Sequence, residues 1–433
     1  MNKPTEKPFS LLGWRGINNL ALLGSLDSIL FLLSALLPAA YLTIREPDLL
    51  GLLAILLLLI SSIVLWREDF LGAKISKIDR LPLVLLSMTL PTAAVLIAAS
   101  LRFDFHFRDI DGPSRMLLCL PMFFAFYIRK IDFSRSISVA LPLALAMTFV
   151  YALTHNGGFG DRLTVLHMNP ILWGDSSMVL GFMCLYSIQS TDSVIKKAYL
   201  LAGLATGIAM SILSQSRGGW VAGIALLLFW GWLHRKSIHP WHLVIGGVAC
   251  VAVAIGLYLF SGIIHQRVDE AFDGVYGYVT GRDVQSSTGY RLAMWKIGLY
   301  LFAKHPLLGY GDRGVIPYLN NPYIHTLGDA VAINGIRCCG PHNEIIAQLL
   351  RSGVFGFLSL AGTYVIPMYV FWKSYVSGRA NMASSQAMSL IIGFFVSALT
   401  IEMLTLKVAW TFYALFMAGL MATVAWRQDV AQQ

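Results

Sequence analysis

The chain has 433 residues, 57% of them hydrophobic and 13% charged. A soluble domain carries about 25% charged residues, so half that density over this length excludes an ordinary soluble fold and predicts a chain that mostly faces lipid. The formal net charge of +9 then reads as cytoplasmic anchoring and contact with anionic membrane lipid, not as a nucleic-acid surface.

Residues 1–19 are mixed and basic, and the apolar run after them is too long for a signal-peptide core and lacks a small-residue cleavage site. A membrane-spanning helix needs about 20 mainly apolar residues. Twelve stretches fit: 20–44, 48–66, 81–101, 114–129, 133–154, 171–189, 196–213, 219–234, 241–262, 353–374, 386–403 and 408–426, the fourth and eighth being short. The predicted fold is an all-α polytopic membrane protein. It divides into 1–262 (nine spans), 263–352 (one large, partly helical loop) and 353–433 (three spans and a tail). With the N-terminus in the cytoplasm, the short inner connections hold seventeen Lys and Arg against seven in the short outer ones. That bias puts both termini inside and the long loop outside.

The loop at 263–352 exceeds the usual connection in a compact domain. It carries Arg267, Arg282, Arg291, Lys296, Lys304, Arg313, Arg337 and Arg351, which is no objection, because long translocated loops escape the charge rule. Residues 291–304 read as a helix on which Leu292, Trp295, Leu299 and Phe302 share one face, predicting an interfacial position. A second short helix is expected from His342 to about Arg351, opened by Pro341. Cys119, Cys184 and Cys250 lie in apolar runs as inert thiols. Cys338 and Cys339 form a vicinal pair outside the membrane and receive no role.

Three places carry polar residues where a membrane makes them expensive. In Ser214-Gln-Ser216-Arg217-Gly-Gly-Trp220, Arg217 offers a fixed fork of donors suited to phosphate oxygens, and the glycines allow close backbone approach. The alternative is an arginine snorkelling to the interface. Arg291 opens the loop helix with Trp295 one turn on, and an arginine there suits a bound anion; it can also be a solvated surface residue. In Gly340-Pro-His342-Asn343-Glu344, His342 can act as a base near neutral pH, with Glu344 as a competing base or as its orienting partner. A local structural role for His342 is the alternative. His-Glu-x-x-His, Cys-x-x-Cys, Gly-x-Ser-x-Gly and Walker patterns are missing from the sequence, as is an Asp-x-Asp type carboxylate pair in the loop to hold a metal. No cofactor or metal is expected. A transporter would need buried charges or broken helices in paired halves, and beyond Asp27 and Glu402 few such charges stand out.

The ordered set Ser-x-Ser-Arg-Gly (214–218), Tyr-Arg-x-x-x-Trp (290–295), His-Pro-Leu-x-Gly-x-Gly (305–311) and Pro-His-Asn leading to Gly353 resembles the O-antigen ligase/polymerase family. The likeness is specific between about 200 and 360 and topological outside it. It implies a glycosyltransferase architecture of the GT-C kind in the bacterial inner membrane. The implied donor is a polysaccharide on undecaprenyl pyrophosphate and the implied acceptor is lipid A-core, with transfer at the periplasmic face and no nucleotide sugar. By the same resemblance Arg217 and Arg291 bind the donor pyrophosphate. His342 positions or deprotonates the acceptor hydroxyl, with inversion, and Ser216, Trp295, Asn343 and Glu344 support them. A monomer is expected. A polysaccharide polymerase or a protein O-oligosaccharyltransferase on the same scaffold, or a lipid-linked glycan flippase, stays open.

Overall fold

The computed structural model describes residues 26–43, 48–67, 78–155, 162–165, 168–282 and 285–431. Among them every regular element is helical. The first half holds α1 (Leu26–Thr43), α2 (Asp48–Arg67), α3 (Leu81–Arg102), α4 (Phe107–Asp111), α5 (Ser114–Leu118), α6 (Leu120–Ile128), α7 (Phe133–His155), α8 (Pro170–Tyr186) and α9 (Val194–Leu213). There follow α10 (Arg217–His234), α11 (Pro240–Phe260), α12 (Gly262–Thr280), α13 (Ser287–Lys304), α14 (Ala330–Cys339), α15 (Glu344–Leu360), α16 (Ile366–Val376), α17 (Asn381–Ala398) and α18 (Lys407–Val430).

Within the described residues, which leave out 20–25 and 44 of the first stretch, each of the twelve expected stretches falls on helix, but by length and composition seven described helices can cross a membrane, or eight counting one bent pair. The difference has physical causes. The stretch 114–129 is interrupted at Cys119, where Pro121 opens α6 afresh. Helices α8 and α17 are buried by protein along most of their length. Their faces meet other helices, so Asp175, Ser176, Ser177, Ser384, Ser385 and Gln386 can sit where a lipid-facing helix would need apolar groups. The bent pair is Val244–Phe260 with Gly262–Thr280, meeting at 96°. The extended backbone of Ser261 breaks the helix, and its hydroxyl caps the new one at Ile264.

At the bundle centre α18 is enclosed on nearly every side, its Phe412, Phe416, Met417 and Leu420 wholly buried. It packs on α5, α6, α17 and α2, while α8 lies between α9, α10 and α17. By contrast α11 packs chiefly against α12, and its side chains are almost all exposed.

The long connection builds a second core of its own from Ala293, Met294, Ile297, Leu301, Leu319, Ile324, Ile333, Ile336 and Ile346. This changes the reading of α13. Its buried face is Gly289, Ala293, Met294, Ile297, Gly298 and Leu301, and Leu299 is exposed. Small residues decide it: Gly298 sits against Ile346, where an added Cβ would come within 2.5 Å, so α13 docks tightly on α15 instead of lying flat in lipid.

The expected short helix at 342–351 runs on into the next apolar segment as α15, kinked at Gly353 (φ 59°). The kink frees carbonyls, and the 305–311 segment takes them up. Tyr310 N–H donates to Leu350 O (2.7 Å), Gly311 N–H to Arg351 O (2.9 Å), and Val354 N–H to Pro306 O (2.9 Å). From the end of α3, Arg102 donates to Leu308 O (2.7 Å) and Arg351 O (3.0 Å). The two glycines at 309 and 311, both left-handed, let backbone meet backbone there.

Candidate functional site

Two groups of residues meet around the loop helices. The first starts at the α9–α10 turn. Gln215 holds a left-handed backbone (φ 57°), which reverses the chain so that α10 begins at Arg217. What fixes that beginning is Asp175, wholly buried in the middle of α8. It accepts the Ser216 hydroxyl (2.5 Å) and the peptide N–H of Gly219, the job a capping carboxylate does at a helix N-terminus. A Cβ on Gly218 would stand 2.8 Å from Asp175 Oδ2, and one on Gly219 3.1 Å from its Oδ1. The glycine pair therefore leaves room for this carboxylate and for the Thr400 and Ser211 hydroxyls, which a Cβ would meet at 2.4 and 2.6 Å.

So placed, Arg217 donates through Nη2 to Ser287 Oγ in the first turn of α13 (2.6 Å) and through Nη1 toward the Arg267 carbonyl of α12 (3.5 Å). Arg267 in turn donates to Gln215 Oε1 (3.1 and 2.7 Å) and pairs with Glu270 (2.9 Å). Arg291 lies one turn beyond Ser287. Because Ser286 caps α13, Arg291 sits in the second turn, not at the opening the sequence suggested. Burial, then the neighbouring Arg217 charge, hold the Arg291 guanidinium below its usual range. Arg162, which donates to Ser214 O (3.0 Å), is lowered by burial and then by Arg267 and Arg217. Four guanidiniums thus crowd together with Asp175 and Glu270 as their nearby carboxylates. Such crowding is unfavourable without an anion between them.

The second group surrounds His342. Its backbone is left-handed (φ 52°), an uncommon conformation for a residue with a side chain. Trp295 Nε1–H donates to Pro341 O (3.1 Å), tying α13 to this turn. Asn343 caps α15 by accepting from Ile346 N–H (3.2 Å), and its Nδ2 donates to Leu399 O (3.1 Å). His342 consequently precedes the helix instead of lying in its first turn. Burial first, and the Arg291 charge second, lower its pKa below 6.5. The imidazole is therefore neutral at pH 7, and Arg291 is the electrostatic link between the two groups.

Glu344 is buried and its oxygens are engaged by Gln348 Nε2 (2.8 Å) and Leu404 N–H (2.9 Å), so it braces α15 against the 399–406 turn. The carboxylate beside His342 is Glu402. It pairs with Arg351 (2.8 Å) and accepts from Thr405 (3.0 Å), the His342 backbone turns toward it, and burial raises its pKa. Gly340 leaves room for it, since a Cβ there would overlap Glu402 Oε1.

A cavity of about 400 Å³ opens here, its wall including His342, Glu402, Asp312, Arg313, Arg337 and Asn169. The bonded pair Cys338–Cys339 is part of the same wall. Arg217 and Arg291 are not, so His342 stands between this cavity and the guanidinium cluster. No group of three or more His, Cys, Asp or Glu fit for a metal occurs among the described residues. Sequence reasoning passed over Asp175, although a carboxylate inside the apolar run 171–189 is itself a signal. Glu402 was visible only as a charge at a span end.

Residues 202–361 match the family model for O-antigen ligase. Through this segment the chain is similar to the O-antigen ligase family. The match takes in Arg217, Arg291, His342 and the Gly353 kink. That family consists of glycosyltransferase-like ligases and polymerases, which supports a transferase in general terms, and the long apolar helices are those of a multi-pass membrane protein. An uncharacterized protein of Haemophilus influenzae is 24% identical over 279 residues, covering 62% of this chain and 67% of that protein.

Proposed function

We propose that this protein transfers a polysaccharide from undecaprenyl pyrophosphate to a terminal sugar of lipid A-core, at the periplasmic face of the bacterial inner membrane. The observation that carries the reading is the guanidinium cluster of Arg217 and Arg291 beside a neutral His342. The acceptor hydroxyl oxygen attacks the anomeric carbon while the bond from that carbon to the pyrophosphate oxygen breaks. His342 takes the hydroxyl proton, and undecaprenyl pyrophosphate leaves carrying the electron pair. Attack opposite the leaving group inverts the centre. Charge develops on the departing pyrophosphate, and fixed guanidiniums stabilise it without reorganisation. Ser216 and Trp295 hold the two arms in place, the first through Asp175 and the second through Pro341.

A polymerase would share the donor side and differ in what fills the cavity. Deleting the gene in a host that makes smooth lipopolysaccharide tests the assignment. Rough core with accumulated lipid-linked polymer is the expected result; core bearing one repeat unit would mean a polymerase, and loss of protein glycosylation an oligosaccharyltransferase.

A further inference from the structure

We infer that the cavity beside His342 takes a sugar bearing an anionic group, a phosphate or a carboxylate, held by Arg313 and Arg337. This deepens the proposed function, because it assigns a charge to the acceptor.

The inference rests on which charges in the cavity wall are already satisfied. Arg351 is occupied by Glu402 and by Thr405 Oγ1 (2.8 Å each). Arg337 donates through Nη2 only to the neutral Asn320 Oδ1 (2.9 Å). Arg313 has no ion pair or side-chain hydrogen bond among the described residues. Asp312 and Glu402 are the carboxylates of the wall, against three arginines, so positive charge is left over at Arg313 and Arg337. A volume of about 400 Å³ falls within the range of small-ligand pockets, about 300–1,000 Å³.

Both arginines are exposed, but the backbone that carries each is fixed. Arg313 is itself left-handed (φ 59°), two residues after left-handed Gly311. Its turn is pinned on either side: Gly311 N–H to Arg351 O, Asp312 N–H to Asp109 Oδ1 (2.9 Å), and Ile316 N–H to Arg313 O (3.1 Å). Backbone strain of this kind persists where the surroundings impose it and clusters at ligand sites. Arg337 lies in the last turn of α14, whose final residues are the bonded Cys338–Cys339, and the chain then turns through Gly340 to His342. Guanidinium forks suit phosphate and carboxylate alike.

The test uses the full-length protein in detergent with glucose, glucose 6-phosphate and glucuronate as probes, followed by calorimetry or a thermal-shift titration. Wild type should bind an anionic sugar at least tenfold more tightly than glucose; which of the two wins tells phosphate from carboxylate. R313Q/R337Q should erase the difference, while R217Q/R291Q, which alters the other cluster, should keep it. Size-exclusion and melting behaviour of both variants report folding. Equal affinity for all three sugars, or loss of the preference in R217Q/R291Q alone, would overturn the inference. A transfer assay to lipid A-core, native or phosphatase-treated, separates the two readings. Anion preference without any transfer refutes the ligase reading and leaves the site standing.

Discussion

His342 combines a strained backbone, a lowered pKa and a place between two charged regions. Its replacement by alanine should lower transfer by about 10²–10⁴-fold, the usual contribution of a positioned base, with donor binding retained in a filter-binding assay. The sign of the pH effect follows from its neighbours. Burial and Arg291 disfavour the imidazolium, so the acid limb of kcat/KM should lie below pH 6.5, the base being lost as pH falls through the lowered value. R291Q removes the like charge and should move that limb upward, toward 6.5. An unmoved limb would detach Arg291 from the histidine. Arg217→Lys should restore little of what Arg217→Ala loses, since a point charge cannot hold Ser287 and at the same time make the forked phosphate contact of the proposed function; donor KM is the readout. The arginines and the histidine were legible in sequence because each stands in a polar motif between apolar runs. Asp175 was visible only as a charge in an apolar run; its role was hidden, because its partners are 41 or more residues away.

At the scale of elements, the motifs around Gly309, Gly311 and Gly353 form one joint. The broken α15 exposes carbonyls, and the 305–311 segment supplies the N–H groups. Gly353→Ala should cost about 1–3 kcal/mol, from left-handed strain and from a Cβ only 2.4 Å from Leu307 backbone. Gly281→Ala is equally left-handed, but its Cβ meets nothing within 4 Å, so it should destabilise less. Melting of both variants in detergent checks the ranking. Sequence pattern located α13 and the start of α15 but misjudged both. The face of α13 was assigned by large residues, whereas close approach by Gly289, Ala293 and Gly298 decided it. The kinked continuity of α15 cannot be seen locally, because the groups that satisfy its break come from another segment.

For the whole molecule, apolar length found every helix of the bundle, while the number able to span could not be settled by composition. Helices such as α8 and α17 trade apolar surface for contacts with neighbours, and that trade depends on the fold. α11 poses the opposite case. It leans on little besides α12, and α12 carries the Arg267 that grips Gln215 and adjoins Arg217. A helix bathed in lipid takes its tilt from bilayer thickness. Its 96° elbow turns a change of tilt into a displacement of α12. Donor KM should therefore vary with acyl-chain length when the protein is reconstituted in phosphatidylcholine bilayers of 14 to 22 carbons (a span of about 10 Å in thickness), and a severed elbow, made by inserting glycines after Ser261, should flatten that dependence.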